Sequence, residues 1–225
     1  MAEGKSFWSS LPGILTALAG LITAIGGLLL ALREPAAPDG ATVVEAPASE
    51  PAPLLERLGM APPETLALRG VPTTLAPERL AAALTRNGLF DAALNPAGAG
   101  VANRFEVEVR GEARIVRDAA TGLAWQVDGS GGLDYAAAEA RLGVLNAQNF
   151  AGYSDWRLPT AEEAASLMEP AAPNGRHIDD VFGSGVHFIW TADRSPDGKV
   201  YVAYWADGRL SAERSDFHAW LRAVR

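Results

Sequence analysis

The sequence predicts an α+β domain in its C-terminal half, held behind a single N-terminal membrane helix and a Pro/Ala-rich linker. Three observations carry that reading. Period-two runs recur as FEVEV, RIVRD, LAWQV, FIWTA, VYVAYW and RLSAERS, and such alternation is the mark of half-buried strands. Capped helical stretches lie between them, at YAAAEARLGVLN and AEEAASLME. A run of 22 residues without charge, Leu11 to Leu32, matches the length of about 20 apolar residues that a helix needs to cross a bilayer core.

We divide the chain into residues 1–33 as a membrane anchor, 34–53 as a flexible linker, 54–100 as a helical lead-in and 101–225 as the main domain. In the anchor, small residues recur at every fourth position, as Thr16, Gly20 and Ala24 and again as Thr23 and Gly27. Rows of that kind let helices approach closely, so this face is the expected site of homo-oligomer packing in the membrane. A cleaved signal peptide is the rival reading, since Ala17-Leu18-Ala19 has the small residues of a cleavage site, but it leaves only a short apolar run before the cut. Lys5 and the amino terminus stand against Arg33, itself beside Glu34, so the topology of a single-pass cell-membrane protein stays open on either side. Residues 34–53, with Pro, Ala and acidic residues and no apolar periodicity, read as an extended tether.

Charge restricts the partners. There are 6 basic against 9 acidic residues before residue 100, and 13 against 18 after it. Neither part offers the basic footprint of a nucleic-acid binder. The chain has no cysteine, which removes disulfides, thiolate metal sites and cysteine nucleophiles.

Element by element, PERLAAALTRNG has proline at a first helical position and Asn-Gly as a stop. FEVEV, RIVRD and LAWQV follow as strands with turns at Arg110-Gly111 and Thr121-Gly122. Asp134 caps the next helix, whose inward face is Tyr135, Ala138, Leu142 and Leu145. In GYSDWRLPTAEEAASLMEP, Thr160 and Glu163 form a capping box and Pro170 stops the helix. Trp156 and Leu158 fall on one side of the preceding extended segment, Asp155 and Arg157 on the other. Asp207-Gly208 reads as a two-residue hairpin between the last long strands. Tyr201 and Tyr204 fall on opposite faces of their strand.

The ordered motifs TGLAWQ, the helix after Asp134, FAGYSDWRLPTAEEAASLMEP, HIDDVF, FIWTAD and terminal LRAVR resemble the Lcl C-terminal domain family, from about Leu80 to the end. That resemblance implies a C-type-lectin-like fold close to the formylglycine-generating enzymes, with similarity to the variable proteins of diversity-generating retroelements. In those proteins residues near the C-terminus are diversified on a fixed scaffold. Carried onto this chain, the comparison places the candidate ligand face at Ala206, Asp207, Arg209, Ser211, Glu213, Arg214, Ser215, Asp216 and His218. An ordinary solvated hairpin is the plain alternative for the same residues.

Formylglycine-generating relatives work through cysteine, which this chain lacks, so that activity is excluded; no G-x-S-x-G elbow occurs either, and no catalytic residue and no cofactor are expected. His177, Asp179 and Asp180 lack the further ligands and spacing of a metal site. Two functions remain: a membrane-anchored protein that binds a protein or glycan ligand through its C-terminal hairpin, or a sensor-effector of a bacterial conflict system acting through an oligomerising membrane helix.

Overall fold

The computed structural model describes residues 64–225. The expected anchor and linker, with Thr16, Gly20, Thr23, Ala24 and Gly27, lie outside the described residues. Among the described residues no helix is long and apolar enough to cross a membrane.

The fold is α+β with a mixed sheet. Helix α1 (Pro77–Arg86) opens with Pro77 and buries Leu80, Ala83 and Leu84, the i, i+3, i+4 stripe of an amphipathic helix. Strands β1 (Phe105–Arg110), β2 (Ala113–Asp118) and β3 (Ala124–Gln126) form a three-stranded antiparallel sheet in that order. Strand β4 (Ser130–Leu133) leads into helix α2 (Tyr135–Ala147), where the Asp134 carboxylate accepts from the Ala137 backbone N–H. A 3-10 turn at Phe150–Gly152 brings the chain to Trp156, Leu158 and helix α3 (Ala161–Ala165). Strands β5 (Phe188–Arg194), β6 (Val200–Tyr204), β7 (Arg209–Glu213) and β8 (Ala219–Leu221) complete a five-stranded sheet of order β4-β8-β5-β6-β7. Its pairs are antiparallel except β5 with β8, joined in parallel at Ile189 and Trp220.

Two apolar layers cover the large sheet. Ile189, Tyr201, Ala203 and Leu210 face a core with Leu80 and Leu84 of α1, Ala161 and Ala164 of α3, Trp125 and Trp205. Trp190, Val200 and Val202 face a second one with Tyr135, Ala138 and Leu145 of α2 and with Trp156 and Leu158. The lead-in residues Leu80, Leu84, Leu89 and Phe90 share the first core with the C-terminal strands, so no break in packing falls at residue 101.

The last residues tie the layers together. Val224 exchanges two backbone bonds with Arg157 at 2.9 Å, while Ala124 and Arg225 exchange two more at 2.9 Å. LRAVR is therefore a structural seam between the small sheet and the WRLP segment.

Two local expectations are corrected. The AEEAASLME helix stops at Ala165, because Leu167 and Met168 bond back to Ala164 and Ala165 in tighter i→i+3 turns and the Ser166 hydroxyl takes the Glu163 carbonyl. The Asp207-Gly208 hairpin is not a two-residue turn: Tyr204 pairs with Arg209, leaving Trp205 to Gly208 as the connection. Trp205 is fully buried there, its backbone N–H donating to the His187 carbonyl and its own carbonyl accepting from the His177 backbone N–H. Those two backbone bonds hold Trp205 out of the β6–β7 ladder and widen the turn.

Candidate functional site

Strand β7 is, with β4, one of the two edge strands of the large sheet. Asp91 closes part of its free edge: one carboxylate oxygen accepts from the Leu210 N–H at 2.7 Å, and Ala92 N–H donates to the Gly208 carbonyl. Below that cap the edge opens on a cleft of about 500 Å³ between α1, the turn from Ser195 to Lys199, and β7. Pro77, Leu94, Tyr201 and Leu210 give it apolar walls, and Ser195, Asp197, Lys199 and Ser211 give it polar ones.

A second cleft of about 420 Å³ lies across the same turn. It is lined by Asp197, Gly198, Lys199, Arg214, Ser215 and Asp216. Asp197 and Lys199 belong to both clefts. Volumes of a few hundred Å³ with a small set of polar groups are the scale of a ligand site.

The polar groups are arranged in balanced pairs. Lys199 Nζ lies 2.9 Å from Asp197, and the Ser195 hydroxyl donates to the same carboxylate. Those contacts, the serine first, hold the Asp197 carboxyl below its usual range. Arg214 makes a two-pronged pair with Asp216, at 3.0 and 2.8 Å, which lowers the Asp216 carboxyl in the same way. Neither charge is neutralised by burial, since all four side chains are well exposed. The surface thus offers donors beside acceptors with no net charge among these four groups, an arrangement complementary to hydroxyl or amide groups.

The expected ligand face is divided between the two ends of the β6–β7 hairpin. Ser211 reaches the first cleft, and Arg214, Ser215 and Asp216 line the second. Ala206 and Asp207 are exposed at the far turn, where Arg209 pairs with Asp207 at 3.2 Å and lies over the Tyr204 ring at 5.3 Å. Glu213 is half-buried beside Tyr204, and burial followed by that carboxylate pushes the Tyr204 phenol up. His218 is exposed, with its Cβ near Gly132 at the β4 edge. Ser215 also has a structural role, its carbonyl accepting from the Tyr135 N–H at the start of α2.

The turn Ser195-Pro196-Asp197-Gly198-Lys199 was not singled out from the sequence. Its Pro-Asp-Gly core is a turn signature that could have found it, and Gly198 has the positive φ of 82° that such a turn requires. Tyr201 is buried, its hydroxyl donating to the Leu75 carbonyl at 2.9 Å, while Tyr204 is half-exposed.

Among the described residues no group of three or more His, Asp or Glu side chains is placed to hold a metal. His177 stacks on Phe90 and its Nδ1 lies 2.7 Å from the Glu169 carbonyl. Asp179 accepts from the Val181 N–H, and Asp180 pairs with Arg176 at 3.0 Å.

Residues 114–225 match the family model described as the Lcl C-terminal domain. No curated protein and no solved structure matches the chain.

Proposed function

Residues 114–225 belong to the Lcl C-terminal domain family, and from that premise we propose that the chain is a membrane-anchored recognition protein whose C-terminal domain, of C-type-lectin-like fold, binds a protein or glycan ligand. The observation that carries this reading is the pair of clefts meeting at Asp197 and Lys199, beside the segment Arg214 to Asp216. Their charge-balanced lining favours an uncharged polar ligand surface over a polyanion, in keeping with a chain of net charge -8. Anchoring rests on the uncharged run from Leu11 to Leu32, long enough to span a bilayer core, and its small-residue face supports association of copies in the membrane.

The test is capture by the full-length chain in detergent micelles on a glycan array and a tiled peptide array. Arg214→Glu and Lys199→Glu are expected to abolish capture without lowering the melting temperature, while Asp207→Ala at the far turn leaves it intact. Capture that survives both cleft changes, or that fails only with the far-turn change, overturns this placement of the site. Absence of capture on both arrays overturns the recognition reading itself.

A further inference from the structure

A third cleft, of about 340 Å³, lies away from the β7 edge, between α2, the Arg157-Leu158 segment and the end of β5. Helix α2 contributes Tyr135, Glu139 and Leu142, at i, i+4 and i+7, which places them along one face. Strand β5 contributes Ala192 and Arg194, two residues apart and therefore on one face of the sheet. With Leu158, the Leu142 and Ala192 side chains make part of the lining apolar.

The charged groups here differ from those of the β7 clefts. Arg157 is already matched, since Glu163 takes two of its N–H groups at 2.7 and 2.6 Å. Arg194 has no carboxylate within ion-pair distance among the described residues. Its backbone is fixed on both sides, with its N–H donating to Thr73 and its carbonyl accepting from Leu75. Its guanidinium lies over the Tyr135 ring at 4.8 Å, and its one side-chain hydrogen bond among the described residues is a long 3.5 Å contact with the Gly198 carbonyl. Glu139 is exposed and has no cationic partner among the described residues either. Tyr135 is buried between them, and burial, then the Glu139 charge, pushes its phenol up, so the hydroxyl stays a donor at neutral pH.

One guanidinium and one carboxylate therefore share a small, partly apolar cleft without closing on each other. A simple anion would meet the repulsion of Glu139, and a simple cation that of Arg194. A ligand with both charges satisfies both groups, because charge-assisted hydrogen bonds are the strong ones at such a site. We propose that this cleft binds a small amino carboxylate with an apolar side chain, its carboxylate at Arg194, its ammonium at Glu139 and its side chain toward Leu142, Leu158 and Ala192.

Isothermal titration of the full-length chain in detergent, with L-leucine, 4-methylpentanoate and 3-methylbutylamine as probes, tests the assignment. L-leucine is expected to bind saturably, and each single-charge analogue about tenfold or more weakly, the loss of one hydrogen bond to a charged group. Glu139→Gln, an exposed and unpaired position, should weaken L-leucine by the same factor while sparing 4-methylpentanoate. Arg194→Met should weaken both. Equal binding of all three probes, unchanged binding in the two variants, or no saturable heat with L-leucine at millimolar concentration overturns the proposal. Glu139 lines neither β7 cleft, so the Glu139→Gln readout is independent of them.

Discussion

Asp193, fully buried on β5, receives both terminal nitrogens of Arg69, at 2.9 and 2.6 Å. The same carboxylate accepts from the Thr73 and Ala161 backbone N–H groups, each at 2.7 Å. One side chain thereby holds the lead-in segment, the central sheet and the first turn of α3. Arg69 also reaches Glu162 at 3.1 Å. Burial works to lower its basicity, yet the hydrogen bonds and charges of Asp193 and Glu162 hold the guanidinium above its ordinary value.

Removing Asp193 takes a partner from Arg69 and leaves the Thr73 and Ala161 N–H groups without their acceptor, whereas removing Arg69 leaves the buried carboxylate with both backbone donors. Asp193→Ala is expected to cost about 3–5 kcal/mol, the range for breaking a buried pair. Arg69→Ala should cost less, since Asp193 keeps its two backbone donors and Arg69 is partly exposed. Urea unfolding of the two variants measures the order.

Gly208 is expected to resist substitution more than Gly88, although both have positive φ, 62° and 66°. A Cβ at Gly208 would stand 2.7 Å from His177 Cγ and 3.0 Å from Phe90 Cε1, whereas nothing lies within 4 Å at Gly88. Gly88→Ala should cost about 1–2 kcal/mol for the left-handed backbone alone. Gly208→Ala should add about 1–3 kcal/mol of overpacking, and comparison of the two melting temperatures separates the terms.

Arg222 is buried with no carboxylate within ion-pair distance among the described residues. Its Nη2 donates to the Val127 and Phe182 carbonyls at 2.9 and 3.0 Å, and its guanidinium carbon lies 4.7 Å from the Phe182 ring centre. Burial pushes the group down to about 9. Arg222→Lys, which concentrates the charge on one nitrogen and loses the planar contact with the ring, should destabilise by about 1–3 kcal/mol. Chemical denaturation checks it.

Stability should also carry a pH signature from Glu169. Burial, followed by the charges of Asp179 and Asp180, raises its carboxyl above the ordinary glutamate range. The folded state therefore favours the protonated form. Its contribution is fully present below the ordinary value and is lost as pH climbs through the raised one. Glu169→Gln should flatten the stability profile across that window, as read by melting temperature at stepped pH.

Much of the scaffold was legible because it is local. Thr160 and Glu163 do form the capping box, Asp134 does cap α2, and Trp156 and Leu158 are buried while Asp155 pairs with Arg225 and Arg157 with Glu163. Apart from the Asp155–Arg225 pair, which joins residues 70 apart in sequence, these features are written within a few residues of one another. What was missed depends on distant partners. β4 reads Ser-Gly-Gly-Leu, with no alternation, and is a strand because β8 pairs with it. The turn at Trp205 is wide because His177 and His187 bind its backbone. The candidate ligand face reads as one surface because its residues fall within a short stretch from Ala206 to His218, but a strand of five residues holds its ends apart. The second half of that face gains its setting from the turn at Ser195 to Lys199, which the sequence places well before it.

The most direct measurement is array capture by a full-length variant in which Arg214 and Asp216 exchange places, Arg214→Asp with Asp216→Arg. The exchange keeps the ion pair, the net charge and the exposed position, and reverses only the order of donor and acceptor in the cleft. Recognition at this cleft predicts lost or redirected capture at an unchanged melting temperature. Capture of the same ligands with undiminished strength would contradict it.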